Sequence, residues 1–145
     1  MEPMVDLETL LKHFSQVKLE LDHIKQNILK NQHLNASTVH LIAVIGDEQM
    51  TLKQIASQAG LDKSTVSRQM NTLEAEQLVL RTTGKDKRFS FFKLTPSAKI
   101  HYDRYLESFT NYLDQALLAW SEEEKQLLLV LLGRMDYSLK QATKN

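Results

Sequence analysis

The sequence predicts a mainly α-helical fold that carries one small β-hairpin, and three observations predict it. Glycine and proline are scarce, four and two in 145 residues. That disfavours a glycine-rich barrel or a phosphate-cradling α/β fold. Apolar residues recur at three- and four-residue steps over long stretches at both ends of the chain. Near the middle, two β-prone runs flank a short polar turn.

The length suffices for one domain with a true core. Cysteine is absent, so disulfides, thiolate metal sites and cysteine redox sensing are excluded. The N-terminus shows no apolar run behind a basic stretch. No segment approaches the roughly 20 apolar residues of a membrane span. The expectation is a soluble cytoplasmic protein. Net charge is zero, but it is unevenly spread. Residues 1–50 carry four Lys/Arg against seven Asp/Glu, residues 51–95 eight against four, and residues 96–145 six against seven. The basic excess sits in the middle third, and phosphate attraction depends on the local patch.

Residues 5–30 form an amphipathic helix, with Leu7, Leu10, Leu11, Phe14, Val17, Leu21, Ile24 and Ile28 on its stripe. Asn35 to Ile45 is a second helix, ended by Gly46. Thr51-Leu-Lys-Gln54 has the form of a capping box and opens a short third helix. Gly60 supplies the left-handed residue of a tight turn. Asp62 then caps a helix running to about Glu76, accepting from the amides of Ser64 or Thr65. Leu78–Thr82 and Phe89–Leu94 read as paired strands. Thr95-Pro96 starts a helix that reaches about Trp120. Ser121-Glu-Glu-Glu124 is a second capping box and opens the last helix. The first helix and the last two are longer and more apolar than a compact domain of this size needs. Their exposed faces call for a partner, most simply a second copy of the chain.

The third and fourth helices have the spacing of a helix-turn-helix. Ala56 is the small residue at the crossing, Gly60 the turn, and Val66 the branched anchor. Ile55, Leu61, Met70 and Leu73 complete the small core. At about 100° per residue, Val66, Met70 and Leu73 share one face of the fourth helix. Ser64, Arg68, Asn71 and Ala75 lie opposite, flanked by Thr65 and Thr72. A helix enters a major groove only if its outward side chains are modest in size. Ser, Thr and Asn can bond base edges or phosphates, and Arg68 can donate twice to guanine. An ordinary solvent face would more usually carry Glu and Lys. The hairpin turn, Lys85-Asp86-Lys87-Arg88, is a basic finger suited to a narrow minor groove, with Asp86 steering the Arg88 guanidinium. The fold class is therefore a winged helix-turn-helix, dimeric, with long N- and C-terminal dimerisation helices.

These stretches resemble the MarR family of regulators. The matching runs are Thr51-Leu-Lys-Gln-Ile-Ala56, Ser64-Thr-Val-Ser-Arg68, Leu73-Glu74, Leu78-Val-Leu-Arg81, Asp86-Lys-Arg88 and Leu94-Thr95. The resemblance spans nearly the whole chain. It implies one domain: residues 1–33 and 96–145 dimerise, and residues 34–95 form the winged lobe, with the helix-turn-helix at 51–76 and the wing at 78–94. It implies a homodimer on a palindromic operator, acting as a repressor, and a small-molecule effector that relieves repression. Carried over by position, Ser64, Thr65, Ser67, Arg68, Asn71 and Thr72 face the major groove. Lys53 and Lys63 lie near phosphates, Arg88 enters the minor groove positioned by Asp86, and Lys85 and Lys87 meet the backbone. Three departures stand out. Gln77 occupies a position usually held by glycine, which at positive φ costs about 1 kcal/mol. Ala98 replaces another glycine, and the wing is a residue short.

Some family members hold zinc near the junction of lobe and dimer region, where His40 and His101 would fall. With no cysteine and no histidine pair at close helical spacing, His13, His23, His33, His40 and His101 read as structural or surface residues. No metal and no cofactor is expected, and Phe14, Tyr102, Tyr105 and Trp120 read as core rather than as a ligand pocket. An enzyme is disfavoured, because no phosphate loop, cysteine nucleophile or compact His–carboxylate cluster occurs. A winged-helix module that binds protein remains the alternative. It would carry an apolar face where this helix offers Ser64, Arg68 and Asn71.

Overall fold

A computed structural model describes Glu2, residues 4–84 and residues 89–144. The expected wing tip, Lys85, Asp86, Lys87 and Arg88, lies outside the described residues. The chain forms two compact units, residues 1–109 and 110–145.

Among the described residues the elements run in the order α1 (Leu7–Asn31), α2 (Ala36–Ile45), β1 (Met50–Thr51), α3 (Leu52–Ala59), α4 (Lys63–Ala75), β2 (Val79–Thr83), β3 (Ser90–Leu94), α5 (Pro96–Ala116) and α6 (Glu122–Ala142). The sequence reading matches this order except for β1. Two residues are too few to show an alternating pattern. They form a strand only because distant partners exist, with Met50 opposite Phe92 and Thr51 opposite Phe91. The sheet is antiparallel in the order β1-β3-β2. The expected hairpin pairs Val79 with Leu94 and Arg81 with Phe92.

The core of the lobe joins α2, α3, α4 and the sheet around Leu41, Ile42, Ile45, Ile55, Val66, Met70, Leu73, Val79 and Phe92. Ala56 and Val66 are buried at the crossing, as their spacing requires. Leu61 is not. It is 37% exposed, because it follows the turn glycine and precedes the helix, so no helical face directs it inward. A second cluster packs Ile28 and Leu29 of α1, Val39 of α2 and Tyr105 of α5. Here Tyr102 stacks on Tyr105, and Phe109 meets Tyr105 edge-on at 5.9 Å.

Helices α1, α3 and α4 close by the same device. After each, a left-handed residue lets the next amide reach back past the end of the helix: Leu34 to the Leu29 carbonyl, Leu61 to Ala56 and Leu78 to Leu73. The left-handed residues are His33 (φ 54°), Gly60 (φ 70°) and Gln77 (φ 62°). Only one is glycine, so the other two hold a strained backbone. Leu78 and Leu73 are both buried, which supplies the apolar contact of this motif and helps keep Gln77 in place.

The expected capping boxes form at Thr51 and Ser121, and Asn35, read as the first residue of the second helix, is its cap instead. Asp62 differs. It stands at the N-cap of α4, but its side chain makes no capping hydrogen bond to the backbone. Its carboxylate instead accepts from the Ser64 hydroxyl at 2.6 Å. Helix α5 ends at Ala116, short of Trp120. Three-residue turns follow, from Leu118 to the Gln115 carbonyl and from Trp120 to Leu117, and they deliver Ser121 to its capping position.

In the second unit, α6 has acids at Glu122, Glu123 and Glu124 in its first turn and Lys140 in its last, matching the helix dipole. None of its residues is buried, and Leu127, Leu129 and Val130 are each more than half exposed. Among the described residues, no helix is long and apolar enough to cross a membrane.

Candidate nucleic-acid interface

Helix α4 is anchored from one side. Val66 and Met70 are fully buried and Leu73 nearly so. The same 3.6-residue period that buries them turns Lys63, Ser64, Arg68, Asn71 and Thr72 outward, and all five are exposed. Thr65 and Ser67 are half-buried at the flanks. The structure therefore brings together on one surface the seven residues of α4 expected to face DNA. Lys53 is exposed on α3. It shares with Lys63 and Ser67 a cleft of about 340 Å³ that is closed by Arg81, Phe89 and Ser90 of the hairpin.

Hydrogen bonding decides what each group can offer. The Arg68 side chain has no hydrogen-bond or ion-pair partner among the described residues, so its donors are free for a ligand. The Ser64 hydroxyl proton is committed to Asp62, and the Thr72 hydroxyl donates to the Arg68 carbonyl at 3.2 Å. Both oxygens keep lone pairs for an incoming donor. The Ser64 hydroxyl, and after it the Thr65 hydroxyl, holds the Asp62 carboxyl below the usual carboxylate range.

Arg81 is the residue that sequence reasoning missed. It entered only as one positive charge among eight in the middle third and as part of a matching run. On β2 its Nε donates to Glu74 at 2.9 Å and a terminal nitrogen donates to Asn71 Oδ1 at 2.9 Å. Its guanidinium carbon lies 4.9 Å from the centre of the Phe92 ring. The partners lie seven and ten residues away in sequence. No local pattern announces such links.

His40 Nε2 lies 3.0 Å from the Ala59 carbonyl, so that nitrogen carries the proton and donates. The histidine ties α2 to the end of α3.

A family model described as the IclR helix-turn-helix domain matches residues 46–82, the span from the end of α2 into β2. The chain is 35% identical over 86 residues to the HTH-type transcriptional regulator YxaD of Bacillus subtilis (strain 168), with 59% of this chain aligned. It spans 60%, about three fifths, of the length of that curated relative. Among solved structures, a MarR family protein from Bacillus stearothermophilus superposes with a TM-score of 0.77 at 20% identity, covering 96% of each chain. A mutant of MepR from S. aureus, solved bound to an oligodeoxyribonucleotide, superposes with a TM-score of 0.63 at 22% identity, over 93% of this chain and 99% of that one. The chain thus has the fold of the MarR family regulators, the winged helix-turn-helix that its sequence resembles.

Proposed function

We propose that this chain is a sequence-specific, double-stranded DNA-binding transcription regulator that grips a palindromic operator as a homodimer. One observation carries the reading: α4 is fully buried on one face and presents Ser64, Arg68 and Asn71 on the other. That is the build of a helix made to enter a major groove. The oligodeoxyribonucleotide bound to MepR supports it, as does the regulator name of the curated relative.

In this reading Ser64, Thr65, Ser67, Arg68, Asn71 and Thr72 meet base edges and nearby phosphates, and Lys53 and Lys63 meet the backbone. Lys85, Asp86, Lys87 and Arg88 form the minor-groove finger. Residues 1–33 and 96–145 pair two copies, since the apolar stripe of α1 is largely exposed at Leu7, Leu11 and Val17, as is most of α6. Repression, release by a small effector and a cytoplasmic location belong to the same proposal.

The test is a titration of the full chain with DNA from upstream of its own gene, at several salt concentrations. A shift whose salt slope falls by about one unit per phosphate-contacting lysine removed supports the reading. Absence of any shift at low salt overturns it in favour of a protein-binding module. Sedimentation should give a dimer at micromolar concentration, and a monomer there would remove the paired half-sites. Arg88→Ala should weaken binding and leave the dimer folded.

A further inference from the structure

The guanidinium of Arg81 is held on three sides. Glu74 takes its Nε, Asn71 takes a terminal nitrogen, and Phe92 lies beneath its face. Phe92 is 2% exposed, so the ring is a fixed platform. Glu74 and Asn71 sit three residues apart on α4, on neighbouring turns. The arrangement ties the second half of α4 to both strands of the hairpin. With Arg81 and Glu74 each about two fifths exposed, such a pair adds little stability. Its effect is on orientation.

A guanidinium only donates, and a carboxamide both donates and accepts. The group of Asn71 that faces Arg81 is therefore its oxygen, whichever way the amide is otherwise drawn. Reading adenine with two bonds needs an asparagine oxygen to accept from N6 while its nitrogen donates to N7. With Arg81 on one lone pair of the oxygen, the NH₂ group of Asn71 keeps both its donors for a base edge, while the oxygen keeps one lone pair beside a guanidinium that already draws on it. Adenine N7 can still accept from the NH₂ group, but the neighbouring N6 donor must share the oxygen with Arg81, a competition that a pure acceptor edge does not meet.

We propose that Arg81 is a specificity-positioning residue: it holds the Asn71 carboxamide so that α4 presents an N–H donor and selects an acceptor edge, guanine or thymine, over adenine. This rests on the DNA-binding reading above and adds which base class one helix position selects. Arg68, with its donors free, reinforces the preference for acceptor edges along the same face. Ser64 and Thr72, whose protons are already committed, offer oxygens to donor edges beside them.

The experiment is selection of bound sequences from randomised double-stranded DNA by the full chain, by Asn71→Asp and by Arg81→Met. Asn71→Asp keeps the bond to Arg81 but replaces the donor with a second acceptor. The base position that responds to Asn71 should favour guanine or thymine in the wild type. In Asn71→Asp it should switch toward cytosine or adenine by about fivefold or more. Arg81→Met keeps the stem on Phe92, frees the carboxamide and should admit adenine at that position. If Arg81→Met does not fold, Asn71→Asp decides alone. A wild-type preference for adenine there, or base preferences identical in the wild type and Asn71→Asp, would overturn the proposal. Failure of the wild type to enrich any sequence would instead overturn the DNA-binding reading itself. A purely structural role for Arg81 would lower the melting temperature and leave the selected base unchanged.

Discussion

The Thr95 hydroxyl donates to the Gln77 carbonyl at 2.8 Å, so the residue that opens α5 is fastened to the residue that closes α4. The same hydroxyl accepts from the Ala98 amide at 3.2 Å and thereby caps α5. The Thr95 amide also donates to the Leu78 carbonyl. The hairpin that emerges between these two helices has its base clamped at one point, and its aim relative to α4 is set there and at Arg81.

Gln77 stands at φ 62° in that clamp. A side chain there stores strain that glycine would not, so Gln77→Gly should stabilise the fold by about 0.5–1 kcal/mol. A β-branched replacement, Gln77→Val, should destabilise it instead. Urea unfolding monitored by circular dichroism reads both. A loss of stability in Gln77→Gly would show that the Gln77 side chain contributes more than its backbone strain removes.

Thr95→Val preserves shape and deletes the hydroxyl. Thr95 is only 8% exposed, so the Gln77 carbonyl and the Ala98 amide lose their partner largely out of reach of water. The expected cost is about 1–3 kcal/mol. Thr95→Ser keeps the hydroxyl and should lose less. A larger loss in Thr95→Ser than in Thr95→Val would locate the effect in the methyl group instead.

The two faces of α4 should separate stability from binding. Met70 is fully buried, and Met70→Ala should cost about 2–5 kcal/mol of stability. Arg68→Ala removes an exposed side chain that has no partner among the described residues, and it should change stability by no more than about 0.5 kcal/mol. It should weaken operator binding by about 1–3 kcal/mol. Paired thermal melts and binding titrations would expose any failure of that division.

The first turn of α6 should respond to acid. Hydrogen bonds from the Ser121 amide, and then from its side chain, hold the Glu124 carboxyl below the usual glutamate range. A group depressed on folding stabilises the native state at pH above its unfolded pKa. That contribution is lost as pH falls through the lower folded value. The capping box should therefore fray under acid below the ordinary glutamate range, and carboxyl chemical shifts would follow it. Ser121→Ala removes the side-chain donor and keeps the amide, so it should move the Glu124 titration only part of the way back toward the ordinary range. An unmoved titration would contradict the capping role.

Sequence alone determined the features whose causes lie within a few residues. The capping boxes at Thr51 and Ser121, the left-handed turn at Gly60 and the outward set Ser64, Arg68 and Asn71 each follow from short spacings along one helix or turn. Gln77 was legible as a strain site only through the family resemblance, which usually places glycine there, and the structure supplies the positive φ. Tertiary structure decided everything that depends on distant partners. It paired Met50 with Phe92 and brought Arg81 onto Asn71, Glu74 and Phe92. The physical reason is one of range. Caps and helical faces are set by backbone geometry that repeats every turn, whereas a guanidinium chooses its acceptors only after two strands and a helix have packed.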